Sequence, residues 1–456
     1  MNYKTQVRDL ISQRFEGVPL ADVVTFGCAQ NENDSEKIRG LLYEVGYSMT
    51  DSLENADIVI YNTCAIRENA ELKIFGNIGK LKALKKANPN MIVAVCGCMV
   101  MQEHIVEKIK KSYPFVDIVF GTNAIEILPQ LIYNCYTENK KQILSPEERR
   151  EFDDDVPILR QSKSKASISI MYGCDNFCSY CIVPYVRGRE RSRQPEDILR
   201  EFTELVDRGY KDITLLGQNV NSYGKKLDRE FDFADLLQLL CTVKGDYVIH
   251  FMSSHPRDFT KKVIDVIRDN PQISRQIHLP VQAGNDRILK EMNRHYTIEQ
   301  YMDIINYAKE QIQGVTFSTD IIVGFPGETE EDFLDTVDLV ETVGFDNAFS
   351  FVYSKRPGTA AASFEDQIPL EEQKERLQRL NDVLAKWSYA RNKEYDGKIV
   401  KVLVEGISKN DDNMFNGRTD TGKTVIFPGE SSLVGKYVNV QITTTQTWIL
   451  KGQLEE

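Results

Sequence analysis

Gly173-Cys174-Asp175-Asn176-Phe177-Cys178-Ser179-Tyr180-Cys181 sets three cysteines at a CxxxCxxC spacing. Three thiolates this close can hold one small metal cluster. A four-iron cluster fully ligated by cysteine takes four, so a triad leaves one iron open to a further ligand. The other readings are a zinc site or a disulfide. Structural zinc closes its tetrahedron with four Cys or His ligands, and here the next cysteine is Cys241, inside an apolar helical pattern. The spacing therefore favours iron and sulfur with an open coordination position.

Around this stretch lie 456 residues, room for two to four domains. Apolar content of 41% and charged content of 27% suit a soluble globular protein. Residues 91–101 form the longest nearly apolar run, too short to span a bilayer. Asp9 and Glu16 interrupt the first twenty residues, which do not read as a signal peptide. A cytoplasmic protein with no membrane association is expected, and its nine cysteines then point to metal or catalysis rather than disulfides. The net charge of −12 argues against wholesale attraction to nucleic acid, so any RNA contact must be local.

After a short helical leader, residues 21–137 alternate strand and helix. Strands are predicted at 21–27, 56–61, 91–95 and 116–120, with helices such as 34–45 and 125–136, which makes a small parallel α/β domain. Cys28, Cys64 and Cys98 follow the first three strands and should emerge on the sheet edge where such domains bind ligands. They are either the ligands of a second cluster or three ordinary buried cysteines. Cys96, Cys135 and Cys241 read as core residues. Residues 138–165 are polar and charged, a linker or an acidic contact surface.

From residue 167 a longer βα series begins. Its strands are predicted at 167–172, 212–216, 248–252, 276–279, 316–323 and 348–353, with helices such as 195–207, 259–268, 298–311 and 330–343. Six units suggest a partial (β/α) barrel, with the cysteine loop at a strand's carboxyl end, where barrel enzymes place their chemistry. Gly217-Gln218-Asn219 and Gly324-Phe325-Pro326-Gly327-Glu328 fall on the same edge, as cofactor contacts or as plain tight turns. Arg187, Arg189, Arg191 and Arg193 follow the cysteine loop and suit either phosphate contacts or a salt-bridge network. A helix over 370–395 precedes five short strands, at 399–405, 414–418, 424–427, 437–444 and 447–452, a small antiparallel β-barrel. Barrels of this size often bind RNA through basic and aromatic residues on one face; Phe415, Arg418, Lys423 and Trp448 are the candidates here, and structural packing accounts for Trp448 equally well.

The CxxxCxxC motif with Tyr180 before its last cysteine resembles the signature of the radical S-adenosylmethionine (SAM) superfamily. There the open iron chelates the amino and carboxylate groups of SAM, and an injected electron cleaves it to a 5′-deoxyadenosyl radical. Nearly the whole chain resembles the methylthiotransferase family within it. That resemblance implies an N-terminal methylthiotransferase domain (21–137), a linker (138–159), a radical SAM core (160–390) and a TRAM barrel (391–454). Thr25-Phe26-Gly27-Cys28, Asn62-Thr63-Cys64 and Gly97-Cys98 match the family's three auxiliary-cluster motifs. It implies two [4Fe–4S] clusters, one on Cys174, Cys178 and Cys181 and one on Cys28, Cys64 and Cys98. It also implies SAM as cofactor, with Tyr180, Gly217, Gln218, Asn219 and Gly324 as the residues expected to contact it.

Within the family, Asn62-Thr63-Cys64-Ala65-Ile66-Arg67-Glu68-Asn69-Ala70, Arg187-Gly188-Arg189-Glu190, Ser253-Ser254-His255-Pro256 and His278-Leu279-Pro280-Val281-Gln282-Ala283-Gly284 resemble the tRNA branch called MiaB. The branch converts N6-isopentenyladenosine at tRNA position 37, in the anticodon loop, to its 2-methylthio derivative. Expected partners are that tRNA and a low-potential electron donor, and the chain is expected to act as a monomer. Ala29-Gln30 stands where the branch has Gln-Met, and Lys355 where it has Pro, which leaves details of the pocket open. Sister branches modify threonylcarbamoyladenosine in tRNA or an aspartate of a small-subunit ribosomal protein. A noncatalytic iron–sulfur RNA-binding protein is the alternative from another class.

Overall fold

The computed structural model describes residues 2–65, 68–138, 140–144, 156–409 and 411–455. Ile66 and Arg67 of the tRNA-branch motif lie outside them, as do the side chains of Glu68, Asn69 and Ala70 and the charged stretch 145–155. The chain forms two compact units, Met1–Gln161 with Ile182–Arg189, and Ser162–Cys181 with Glu190–Glu456.

The first unit is built on a parallel sheet. Among the described residues its order is Ser48–Met49, Leu20–Phe26, Ile58–Thr63, Ile92–Gly97, Ile118–Phe120, Gln142–Ile143. Ile58–Thr63 and Ile92–Gly97 are buried at every position, as β-branched runs covered on both faces should be. Alternate residues divide between two cores. Ile58, Ile60, Ile92 and Ala94 meet Val7 and Ile11 of helix Tyr3–Arg14 and Leu41 of helix Ala29–Glu44. Val59, Tyr61, Val93 and Val95 meet Ile74 and Ile78 of helix Glu68–Ala87 and Ile105 of helix Glu103–Ser112. The two-residue edge strands were too short to show in the sequence pattern, and Gln142–Ile143 extends the sheet into the stretch expected to be linker.

In the second unit, Lys165–Ser169, Asp212–Leu216 and Val248–Phe251 pair in parallel, as do Gln276–His278, Thr316–Val323 and Asn347–Val352. A single bridge, Ile249 to Ile273, joins the two sheets into a partial barrel of six strands in chain order. The strand expected over 167–172 is divided. It leaves the barrel after Ser169, and Met171–Tyr172 pairs antiparallel with Arg191–Ser192. Helices such as Pro195–Asp207 and Ile298–Gln311 cover the outside, their apolar faces in one core with the strands.

Helix Leu370–Lys393 leads to a closed barrel of Ile399–Ser408, Asp411–Thr419, Thr424–Pro428, Leu450–Leu454 and Tyr437–Thr445. Four pairings are antiparallel and one, Thr424–Pro428 with Leu450–Leu454, is parallel. Directions cannot alternate around a closed ring of five, so one parallel neighbour pair is unavoidable. The barrel is fastened to the (β/α) core by the largely buried ion pair Lys423–Asp346 (2.8 Å) and by Lys165–Glu405 (2.6 Å).

Candidate metal and cofactor sites

In the first unit the strand order reverses between Leu20–Phe26 and Ile58–Thr63, the switch point at which open parallel sheets form a binding crevice. Cys28 and Cys64 follow those two strands, and Cys98 follows the next one. Cys28 stands immediately before helix Ala29–Glu44, where a helix N-terminus favours negative charge. Cys64 and Cys98 are buried. Burial pushes the Cys98 thiol up to about 12, Arg187 opposes that push, and Cys64 and Cys28 add to it, which marks the three as neighbours.

The residues flanking these cysteines have definite tasks. Asn62 Nδ2 donates to Asn31 O (2.8 Å) and Ser35 Oγ (2.9 Å), and Asn31 Nδ2 donates to Asn62 Oδ1 (3.1 Å). Thr25 Oγ1 bonds Ser35 Oγ (2.8 Å) and Thr63 Oγ1 donates to Cys96 O (2.5 Å). Gly27 leaves room for Asn31, which a Cβ would strike. Gly97 has φ +100°, and a Cβ there would meet Thr63 O and Asn62 Oδ1. Cys98 N, one residue on, donates to Thr63 O (2.8 Å). Arg187, buried, donates through Nε to Cys98 Sγ (3.2 Å) and pairs through Nη2 with Asp34 Oδ2 (2.8 Å). Cys96 and Cys135 pack with the sheet core.

In the second unit Cys174 and Cys178 are buried and Cys181 half-buried, in the loop after Met171–Tyr172. Gly173 and Phe177 take φ +77° and +47°. Ser179 N and Oγ bond the carbonyls of Met292 (3.0 Å) and Glu291 (2.7 Å), and Asn293 Nδ2 caps Phe177 O (2.9 Å). Arg294 Nη1 lies 3.6 Å from Cys178 Sγ. Tyr180 packs against the main core. Cys241 caps helix Phe233–Leu240 and packs there too.

The expected cofactor residues gather only in part. Gln218 Oε1 accepts from Gly173 N (2.5 Å) and so braces the cysteine loop. Asn219 Nδ2 donates to Asp258 Oδ2 (2.7 Å), and Asp258 pairs with Arg257, which donates to Asn176 Oδ1 (2.5 Å). Gly217 leaves room for Met171. Gly324 gives its N–H to Glu328 (2.7 Å) and its carbonyl to Gln373 (3.1 Å), so both its backbone groups are occupied. Near the loop, Asn219 Oδ1, Asn221 Nδ2, Ser254 Oγ and His255 Nε2 are buried and, among the described residues, without a hydrogen-bond partner. Such atoms are costly unless a polar ligand satisfies them.

Both cysteine sets fit a cluster. The donors are cysteine sulfurs, which a four-iron cluster takes as thiolates distributed over separate irons. Among the described residues no three His, Cys, Asp or Glu side chains are grouped as the ligands of one metal ion. Among the described residues no helix is long and apolar enough to cross a membrane. The four arginines after the loop divide, with Arg187 and Arg193 buried in ion pairs to Asp34 and Glu201 and Arg189 and Arg191 exposed. Phe415 lies in the barrel core and Lys423 is buried against Asp346, which removes two of the four RNA candidates, while Trp448 is exposed. Arg294 was missed because it stands 116 residues from Cys178, in no motif.

Residues 168–340 match the radical SAM superfamily, residues 393–454 the TRAM domain and residues 21–121 the uncharacterized protein family UPF0004. Among solved structures, the radical S-adenosylmethionine methyltransferase TsrM from Kitasatospora setae shares the fold. Its TM-score is 0.55 at 14% identity over 76% of this chain and 77% of that one. The cobalamin-dependent S-adenosylmethionine radical enzyme OxsB gives 0.52 at 14% identity, over 79% of this chain and 56% of that one. Fold and site together thus define a radical SAM protein carrying a TRAM barrel. The tRNA-2-methylthio-N(6)-dimethylallyladenosine synthase of Clostridium perfringens (strain SM101 / Type A) is 52% identical over 436 residues, 95% of this chain and 97% of that protein. The synthases of that name from Clostridium tetani (strain Massachusetts / E88) and Thermoanaerobacter pseudethanolicus (strain ATCC 33223 / 39E) are 51% and 50% identical, over 94% and 95% of this chain and 95% and 92% of those proteins. The chain belongs to this family of tRNA-2-methylthio-N(6)-dimethylallyladenosine synthases.

Proposed function

We propose that this protein converts N6-isopentenyladenosine at position 37 of tRNA to 2-methylthio-N6-isopentenyladenosine. The observation that carries the reading is identity of 52% along nearly the full length of both chains with a synthase of that name. Cys174, Cys178 and Cys181 would hold one [4Fe–4S] cluster and Cys28, Cys64 and Cys98 the other. When bound, the clusters and SAM supply radical generation and the methylthio group. The chain's own residues hold the cysteine loop in place. Gln218, Ser179 and Asn293 fix the cysteine loop through its backbone, and Arg294 presents an N–H to the Cys178 sulfur. Asn219 Oδ1, Asn221 Nδ2, Ser254 Oγ and His255 Nε2, buried and without a hydrogen-bond partner among the described residues, suit the polar groups of SAM, with Tyr180 and Gly217 as further expected contacts. The remaining partners are a low-potential electron donor and the anticodon loop, whose unstacked base can be held by stacking and edge contacts.

The test is anaerobic reconstitution with iron and sulfide, then SAM, a low-potential reductant and isopentenylated tRNA, with nucleosides read by mass spectrometry. The 2-methylthio nucleoside is the expected product. SAM cleavage without it would overturn the substrate and turn attention to threonylcarbamoylated tRNA and the ribosomal protein.

A further inference from the structure

Two buried cysteines two residues apart in the first unit are treated differently. Cys96 packs among apolar side chains of the sheet core. Cys98, as deeply buried, has a buried guanidinium against its sulfur, Arg187 Nε at 3.2 Å. A neutral thiol needs no such partner, since Cys96 does without one, and burying an arginine is costly unless its charge is answered. Asp34 answers one end of the guanidinium, Nη2 to Oδ2 at 2.8 Å. The fork then has a fixed orientation, which aims Nε–H at Cys98 Sγ. Arg187 and Asp34 lie in different segments of the unit, and Asp34 is on the helix that Cys28 precedes.

We infer that Arg187, anchored by Asp34, is a positioning residue of the auxiliary cluster, holding the Cys98 sulfur by a charge-assisted N–H···S bond and raising the cluster's reduction potential. Hydrogen bonds to ligand sulfurs withdraw electron density and favour the reduced state, and they are among the determinants of cluster potential. Groups that hold a ligand in this way also slow loss of the metal. The inference rests on the assignment of Cys28, Cys64 and Cys98 as cluster ligands. It gives Arg187, which the sequence offered as a phosphate contact or as part of a salt-bridge network, a more specific task.

The test uses the full-length chain with Cys174, Cys178 and Cys181 replaced by Ala, so that only the auxiliary cluster is reconstituted. Iron and sulfide content, the rate of iron loss to a chelator, and the midpoint of a redox titration followed by EPR are compared for Arg187, Arg187→Gln, Arg187→Lys and Asp34→Asn. Arg187→Gln is expected to shift the midpoint to more negative potential and to speed iron loss about tenfold or more. Asp34→Asn should shift it the same way by less. Arg187→Lys keeps a cation opposite Asp34 but lacks the fork, so it should also shift the midpoint, and it keeps the test decisive if the glutamine variant does not fold. A midpoint unchanged in variants that retain full iron overturns the role of Arg187 alone. Absence of iron from the parent Cys→Ala protein overturns the auxiliary-cluster assignment and this inference with it.

Discussion

At the scale of single residues, the short motifs around Cys28, Cys64 and Cys98 serve a common purpose, to bring three strand ends into one rigid arrangement. Asn62 and Asn31 lock the second strand end to the helix after the first. Gly97 passes within reach of Thr63 only because it lacks a Cβ and takes φ +100°. Gly97→Ala therefore combines a disfavoured backbone with a collision against backbone oxygen. It should cost about 1–3 kcal/mol or more, read as a lower unfolding temperature together with reduced iron uptake. The six candidate cysteines divide more sharply. Cys174→Ala, Cys178→Ala or Cys181→Ala should abolish 5′-deoxyadenosine formation. Cys28→Ala, Cys64→Ala or Cys98→Ala should spare SAM cleavage and abolish thiolation, and full thiolation by Cys98→Ala would refute the assignment. The six cysteines could be singled out as candidates in the sequence because their spacing and strand-end positions are local properties. Arg187 and Arg294 were not, because each meets its sulfur only through tertiary folding.

At the scale of elements, the cysteine loop is held by its neighbours rather than by regular structure of its own. Asn176, Arg257, Asp258 and Asn219 link the loop to two others, and His255 lies behind them with its ring edge-on to Tyr296 at 5.7 Å. Burial, and then the Arg294 charge, push the His255 imidazole well below its ordinary 6.5, with Arg257 and His295 acting the same way and Asp258 opposing. The unfolded chain then takes up a proton that the folded chain refuses, so this contribution to stability is complete above pH 6.5 and is lost as pH falls below it. The loss should approach about 1.4 kcal/mol per pH unit. His255→Asn should flatten that dependence in urea unfolding between about pH 7 and pH 5, and an unchanged slope would assign the acid sensitivity to other groups. The positions of the main strands were legible from β-branched runs and turn residues. The detour through Met171–Tyr172 was not, since a two-residue antiparallel ribbon has no periodicity to read.

At the scale of the whole molecule, the C-terminal barrel is part of the fold that holds the (β/α) core. Asp346 depends on Lys423 from the barrel, both side chains being largely buried. Lys423→Ala takes the cation from the largely buried Asp346, which then keeps the Phe317 N–H (2.9 Å), and should destabilise that unit by about 3–5 kcal/mol, measurable by thermal unfolding. Truncation after residue 396 removes the same contact. Loss of tRNA binding on truncation would therefore mix two effects. Trp448→Ala, at an exposed position, separates them. It should weaken tRNA binding by about 1–3 kcal/mol without moving the unfolding temperature, and unchanged affinity would place the RNA contact elsewhere. By itself the sequence determined the main element types and the order of the three architectures, because periodicity and turn chemistry are written along the chain, and its motif spacing singled out six cysteines as candidate cluster ligands. The tertiary structure alone decided the switch point between Leu20–Phe26 and Ile58–Thr63, the parallel closure of the five-stranded barrel, and which cations were spent. Strand order and charge pairing join residues far apart in sequence, and the free energy of a buried Arg187 or Lys423 depends on a partner that no local pattern names.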